Sequence, residues 1–225
     1  MLIRINRRFF DFYNQLFSYQ ILRRKLMETK IKILNAAKKE FIEKGFGNAS
    51  MRHIAKEVGI TATALYRHYE NKEDIFDAIV CPAVRAWNSF CVTENTRQCD
   101  MARSSGLEEM WNDISQTRMI VDMVYADYDE NKLLFFGSEG TKYADFLHEL
   151  VTRVQDCTLR FMDELKDKGI KVNDVDEKEM HLLLSAQYSA MLEMLKHDYS
   201  YEDALHNADT VSMFFREGWR KYLGF

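Results

Sequence analysis

A chain of 225 residues, 47% hydrophobic and 13% aromatic with a single proline, has the material for one or two packed cores and reads as helical rather than disordered. Its consecutive apolar runs fall far short of a membrane span, and no stretch has the charged, apolar and small-residue regions of a secretory leader, so neither is expected. The net charge of −4 divides unevenly, +5 over residues 1–26, +2 over 27–87 and −11 over 88–225, as suits a protein that offers one end to a polyanion.

Residues 1–26 place Ile5, Phe9, Phe12, Tyr13, Leu16 and Phe17 near helical spacing among six basic residues. Such a segment reads as an amphipathic helix for a membrane or another helix, or as a basic arm that adds phosphate contacts. The next helix is expected over about Thr29–Lys44, with Ile31, Leu34, Ala37, Phe41 and Ile42 inward and Lys38, Lys39, Glu40 and Glu43 on the wet side. Gly45 stops it.

From Ser50 to Tyr69 the chain reads as two short helices around a glycine turn. Ser50 is an N-cap, Ile54, Ala55 and Val58 form a small apolar face, and Gly59 takes the left-handed backbone that ends a helix. Thr61 caps a second helix whose inward residues are Ala64, Leu65 and Tyr69. This is a helix-turn-helix over residues 50–69, whose second helix is expected to read DNA. Asn71 and Asp74 then start another helix in capping-box style.

Phe41, Gly45, Phe46, Ser50, Ile54, Ala55, Gly59, Leu65, Tyr66, His68, Tyr69 and Lys72 together resemble the N-terminal signature of the tetracycline-repressor (TetR) family of transcriptional regulators, over roughly residues 27–87. Ala62 and Thr63 depart from it, standing where the family often carries Lys-Gly. The resemblance implies an all-α protein with an N-terminal DNA-binding domain over 27–87 and an effector-binding and dimerisation domain over 88–225. It also supplies a third reading of residues 1–26, that they lie upstream of a natural start at Met27. DNA contact is expected from Ser50 and Thr61 through their helix N-termini, Arg52 through a base edge or phosphate, Ala62 and Thr63 at the front of the recognition helix, and Tyr66, His68 and Lys72 around it.

Beyond the head, Pro82 is expected to bend its helix near Val80 and Cys81, and Thr93–Gln98 and Ser104–Gly106 read as loops. Further helices are expected over about Leu107–Tyr128, Asn131–Phe136, Thr141–Lys168, Glu177–Lys196 and Glu202–Leu223, the last opened by a Ser200/Asp203 capping box. The final pair carries more apolar surface than one hairpin hides. Leu184, Tyr188, Met191, Leu195, Phe215, Trp219 and Tyr222 are therefore expected at a homodimer interface. An effector pocket is expected among Met110, Trp111, Met119, Met123, Tyr125, Phe135, Phe136, Phe146, Met162 and Tyr188, with the acidic body favouring a cationic amphiphile.

Cys81, Cys91, Cys99 and Cys157 show no CxxC pairing and read as reduced cytoplasmic thiols. The histidines lack metal-ligand spacing, and no P-loop, GxSxG or dinucleotide fingerprint appears, so no metal, cofactor or catalysis is expected. The expected function is a ligand-responsive repressor, with double-stranded DNA, a second copy of the chain and a small molecule as partners and a membrane ranked last. The alternative is a co-regulator or scaffold whose head no longer reads DNA, which the missing Lys at Ala62 keeps open.

Overall fold

The computed structural model describes residues 7–104, 108–109 and 115–224, with side chains from residue 23 onward apart from 102 and 115, and that of Gln20. Among the described residues every regular element is helical, in the order α1 (Arg7–Asn48), α2 (Met51–Val58), α3 (Ala62–Tyr66), α4 (Lys72–Ser104), α5 (Ser115–Ala126), α6 (Tyr128–Phe136), α7 (Phe146–Asp167), α8 (Glu177–Lys196) and α9 (Tyr201–Leu223). Two compact units result, Met1–Ile79 and Val80–Phe225.

In the first unit, α1 has no start at Thr29. The Thr29 hydroxyl donates back to the Lys25 carbonyl at 2.9 Å, a helix-interior bond rather than a cap. The helical stripe also has a different phase from the expected one. Ile33, Ala37, Glu40 and Phe41 are buried, whereas Ile31 and Ile42 are exposed. Glu40 thus lies inside, because partners beyond α1 satisfy its charge. Gly45, at φ 72° and ψ 161°, breaks the helix in a backbone region that side chains do not tolerate. Phe46 then turns in to meet Phe41 and Phe76, with ring centroids 5.8 and 5.3 Å away. Ile54, Leu65, Ile75 and Phe76 complete this small core.

In the second unit, α4 continues through Pro82 without a break, and the polar run Thr93–Gln98 is helical. The apparent loop signal at 93–98 is an internal network: Glu94 accepts from Arg97 Nε at 2.7 Å and from Gln98 Nε2 at 3.0 Å. By length and composition α4 is also apolar enough over Lys72–Met101 to cross a membrane, contrary to the reading from apolar runs. Part of that content packs inside each unit, Ile75 and Phe76 in one and Ala83 and Trp87 in the other.

A buried polar node ties α4 to α6. Trp87 Nε1 donates to Asn131 Oδ1 at 2.8 Å, and Asn131 Nδ2 donates to the carbonyls of Asp127 at 2.9 Å and Val124 at 3.3 Å. Helix α7 begins at Phe146, five residues later than expected, after a turn in which the Thr141 hydroxyl donates to the Ser138 carbonyl. Ser200 caps α9, accepting from the Asp203 amide at 3.1 Å as the capping box predicts.

One site expectation is corrected here. Leu184, Tyr188, Met191 and Leu195 point into the body of their own subunit, at 6, 6, 4 and 0% exposure. Trp219 is half-buried, its indole N–H donating to Gln187 Oε1 at 2.6 Å, and Tyr222 bonds the Asp176 carbonyl, so both serve the α8–α9 hairpin. Phe215 is half-buried, and its neighbour Phe214, 75% exposed, faces out with Met213 and, on α8, Leu182.

Candidate nucleic-acid interface and body cavity

Helix α2 is built as its sequence dictates. Ser50 accepts from the His53 amide at 3.4 Å, and Gly59 closes the helix at φ 74°, where its left-handed backbone lets the Ile60 amide reach the Ala55 carbonyl at 3.0 Å. Thr61 caps α3, its hydroxyl accepting from the Ala64 amide at 3.1 Å. Helix α3 ends at Tyr66, short of the Tyr69 expected on its inner face, since Arg67 caps it and His68 and Tyr69 form the following turn. Leu65 alone of α3 is fully buried and anchors it, leaving Thr63 and Tyr66 on the outside, Tyr66 at 49% exposure. Ala62 and His68 are half-buried beside them, while Arg52 and Arg67 are exposed and form no ion pair among the described residues. Short side chains at the front, one projecting tyrosine and two free guanidinium groups make a surface suited to a groove edge and phosphates.

Lys72 has another task. Its ammonium donates to the carbonyls of Phe46, Gly47 and Ala49 and lies 4.5 Å from the Phe46 ring centroid. All three bonds close the loop between α1 and α2, so the expected phosphate contact gives way to an internal role. Sequence reading also missed the support under α2. Glu40, 2% exposed, accepts from Lys44 Nζ at 2.8 Å and the Ser50 amide at 3.1 Å, and pairs with His53 Nδ1 at 2.7 Å. Burial acts to raise the Glu40 pKa, but the bonds from Lys44 and Ser50 and the charges of His53 and Lys44 outweigh it and hold the carboxyl below its ordinary value. The result is a carboxylate that fixes the N-cap of α2 to α1.

The body holds a half-open cavity of about 210 Å³ bounded by α4, α5, α7, α8 and α9. Of the expected pocket residues that are described, Met162 and Tyr188 line it, and Tyr125 and Phe136 do not. Met110 and Trp111 lie outside the described residues. Phe146 is core, and Phe135 packs on Trp87 with centroids 5.4 Å apart, while Met119 is exposed and Met123 half-buried, neither in the wall. The actual wall carries Phe90, Phe161, Met162, Met180, Leu184 and Trp219, with Glu94, Gln116, Ser212 and Arg216 as polar groups. Burial, with the Glu94 carboxylate nearby adding to it, pushes the Tyr188 phenol well above its ordinary value, so it stays a neutral hydroxyl. Elsewhere the fold joins histidines that sequence separates: His181 lies 3.1 Å from His148 and 3.0 Å from Gln155. Among the described residues no cluster of three or more His, Cys, Asp or Glu is arranged to hold a metal.

The head is a helix-turn-helix DNA-binding domain by its fold and by its exposed face. Residues 33–79 match the sequence model for bacterial regulatory proteins of the tetR family, so the head carries that family's domain. Its head is 44% identical over 52 residues to the HTH-type transcriptional regulator UidR of Escherichia coli (strain K12), covering 23% of this chain and 26% of UidR. The match thus spans about a quarter of that relative's length. Two solved structures share the fold: a Clostridium perfringens protein assigned to fatty acid metabolism regulation (17% identity, TM-score 0.53, 83% of this chain and 97% of that one) and NalD, the secondary repressor of the MexAB-OprM efflux pump in Pseudomonas aeruginosa (17%, 0.50, 82% and 94%).

Proposed function

We propose that the protein is a cytoplasmic, ligand-responsive transcriptional repressor that binds a near-palindromic operator as a homodimer. The observation that carries this reading is the α2–turn–α3 unit, with Thr63 and Tyr66 outward, the unpaired Arg52 and Arg67 beside them, and Leu65 anchoring α3 from within. In each subunit α3 enters a major groove. Thr63 and Tyr66 meet base edges or a thymine methyl, with Ala62 permitting close approach. Ser50, Thr61, Arg52 and His68 hold the flanking phosphates. Lys72 acts indirectly, by fixing the loop on which α2 stands.

The homodimer uses the outward faces of α8 and α9. Leu182, Met213 and Phe214 are 68, 60 and 75% exposed, and Ala186, Ser189 and Gly218 on the same helices are small enough for close helix contact. Two heads joined through such a bundle meet half-sites about 34–36 Å, or a multiple of that, apart. A small molecule in the body cavity shifts the protein between operator-binding and non-binding conformations, and does so only by its difference in affinity for the two.

The test is a titration of the purified protein with DNA flanking its own gene, then with a random-sequence pool, at two salt concentrations. Specific binding that weakens steeply with salt supports the regulator. Failure to enrich any sequence from the pool rejects DNA reading in favour of a co-regulator or scaffold.

A further inference from the structure

We infer that the body cavity takes a small amphiphile with a carboxylate head, and that Arg216 is the residue that reads the head. The inference rests on the proposal that this cavity is the effector site. Arg216 lies on α9 and lines the cavity wall, and its Nε is buried with no hydrogen-bond partner. Among the described residues no carboxylate lies within ion-pair range of it, although the body as a whole is strongly acidic. Buried donors are almost always satisfied, and a guanidinium is the costliest of them to leave bare, so an orphan in a cavity wall marks a place where something else supplies the acceptor.

The sign of the ligand follows from the second charge in the wall. Glu94 is 3% exposed, but its oxygens are occupied by Arg97 and Gln98 from its own helix. It is a compensated charge, whereas Arg216 is not. The expectation of a cationic ligand is thereby reversed: the summed acidity of the body lies elsewhere, and the uncompensated group facing the cavity is a cation.

The shape of the head follows from the donor. A guanidinium offers two parallel N–H groups that match the two oxygens of a carboxylate, and the Ser212 hydroxyl lies one helical turn away on the same wall. A dianionic phosphate would fit the fork as well, but it meets more repulsion from Glu94 than a monoanion does. The remaining wall, including Phe90, Phe161, Met162 and Leu184, calls for an apolar tail. At about 210 Å³ the cavity has room for roughly seven groups of water size, at ~30 Å³ each. That is a short tail.

The experiment is calorimetric titration of the full chain with hexanoate, 1-hexanol, hexylamine and hexyl phosphate, repeated with Arg216→Gln and Arg216→Lys. Hexanoate is expected to bind at least tenfold more tightly than the other three. Arg216→Gln should erase that preference while leaving 1-hexanol within twofold of its parent affinity, and Arg216→Lys should keep the preference for an acid in weakened form. Hexanol, hexylamine or hexyl phosphate binding as tightly as hexanoate overturns the carboxylate assignment while the cavity remains a ligand site. Full preference for hexanoate in Arg216→Gln overturns the role of Arg216. Binding of none of the four probes overturns the effector-site reading itself, and this inference with it.

Discussion

Removing the Glu40 carboxylate tests whether the DNA-reading helix pair is held from beneath. Glu40 has three partners: the Ser50 amide, Lys44 and His53. Lys44 and His53 are 42 and 45% exposed, so water rehydrates them once the acceptor is gone, and together they contribute about 0.5 kcal/mol. The bond from the Ser50 amide to a buried charge contributes about 1.5 kcal/mol. Glu40→Ala should therefore weaken the local stability of α2 by about 2 kcal/mol, roughly thirtyfold in its opening equilibrium. Glu40→Gln keeps one acceptor for the amide and should lose about half as much. The assay is native-state hydrogen exchange on the full chain, followed at the amides of Ile54 in α2 and Gly59 at its end, both of which hydrogen-bond within the helix-turn-helix.

The dependence on pH adds a second check. Because the folded-state pKa of Glu40 is depressed, its contribution is fully present above the unfolded glutamate value of ~4.3 and is lost as pH falls through the lower folded value. Protection of α2 in the parent should fall across that acid window, and in Glu40→Gln it should not. If Glu40→Ala leaves α2 protection within about 0.5 kcal/mol of the parent, the network carries no stability and the reasoning fails.

Three further outcomes are expected. The double variant Thr63→Ala with Tyr66→Phe should weaken specific operator binding by about 1–3 kcal/mol per lost contact and leave binding to random DNA nearly unchanged; equal loss on both would remove α3 as the reader. Asn131→Ala strands the buried Trp87 indole N–H and two carbonyls, and should cost about 2–4 kcal/mol in urea unfolding followed by tryptophan fluorescence, against less than 1 if water replaces the amide. Phe214→Glu places a charge on the outward face of α9 and should yield folded monomer in sedimentation velocity; a dimer that persists with parent affinity would place the interface elsewhere.

The sequence by itself determined what depends on a few neighbouring residues. Ser50, Gly59, Thr61, Asn71 and Ser200 act on amides or carbonyls two to four positions away, so the caps, the glycine turn and the start of α9 could be read directly. The exposed positions of α3 followed as well, because the spacing of Ala64 and Leu65 behind the Thr61 cap leaves little choice of face. The interior of the body was settled by tertiary structure. Helix α8 is apolar on more than one side, and its pattern does not say whether Leu184 and Tyr188 meet their own subunit or another; the fold buries them and leaves Leu182 outside.

Charge partners were equally hidden. The pairing of Glu40 with His53 and of Lys72 with three carbonyls of a loop more than twenty residues away arises only when the helices pack. Arg216 is the converse case, a cation in an acidic body that packing leaves without a carboxylate among the described residues. Capping is a short-range hydrogen bond fixed by the backbone itself. Burial and charge compensation depend on which surfaces come together, and a single helical periodicity specifies a stripe without specifying what covers it.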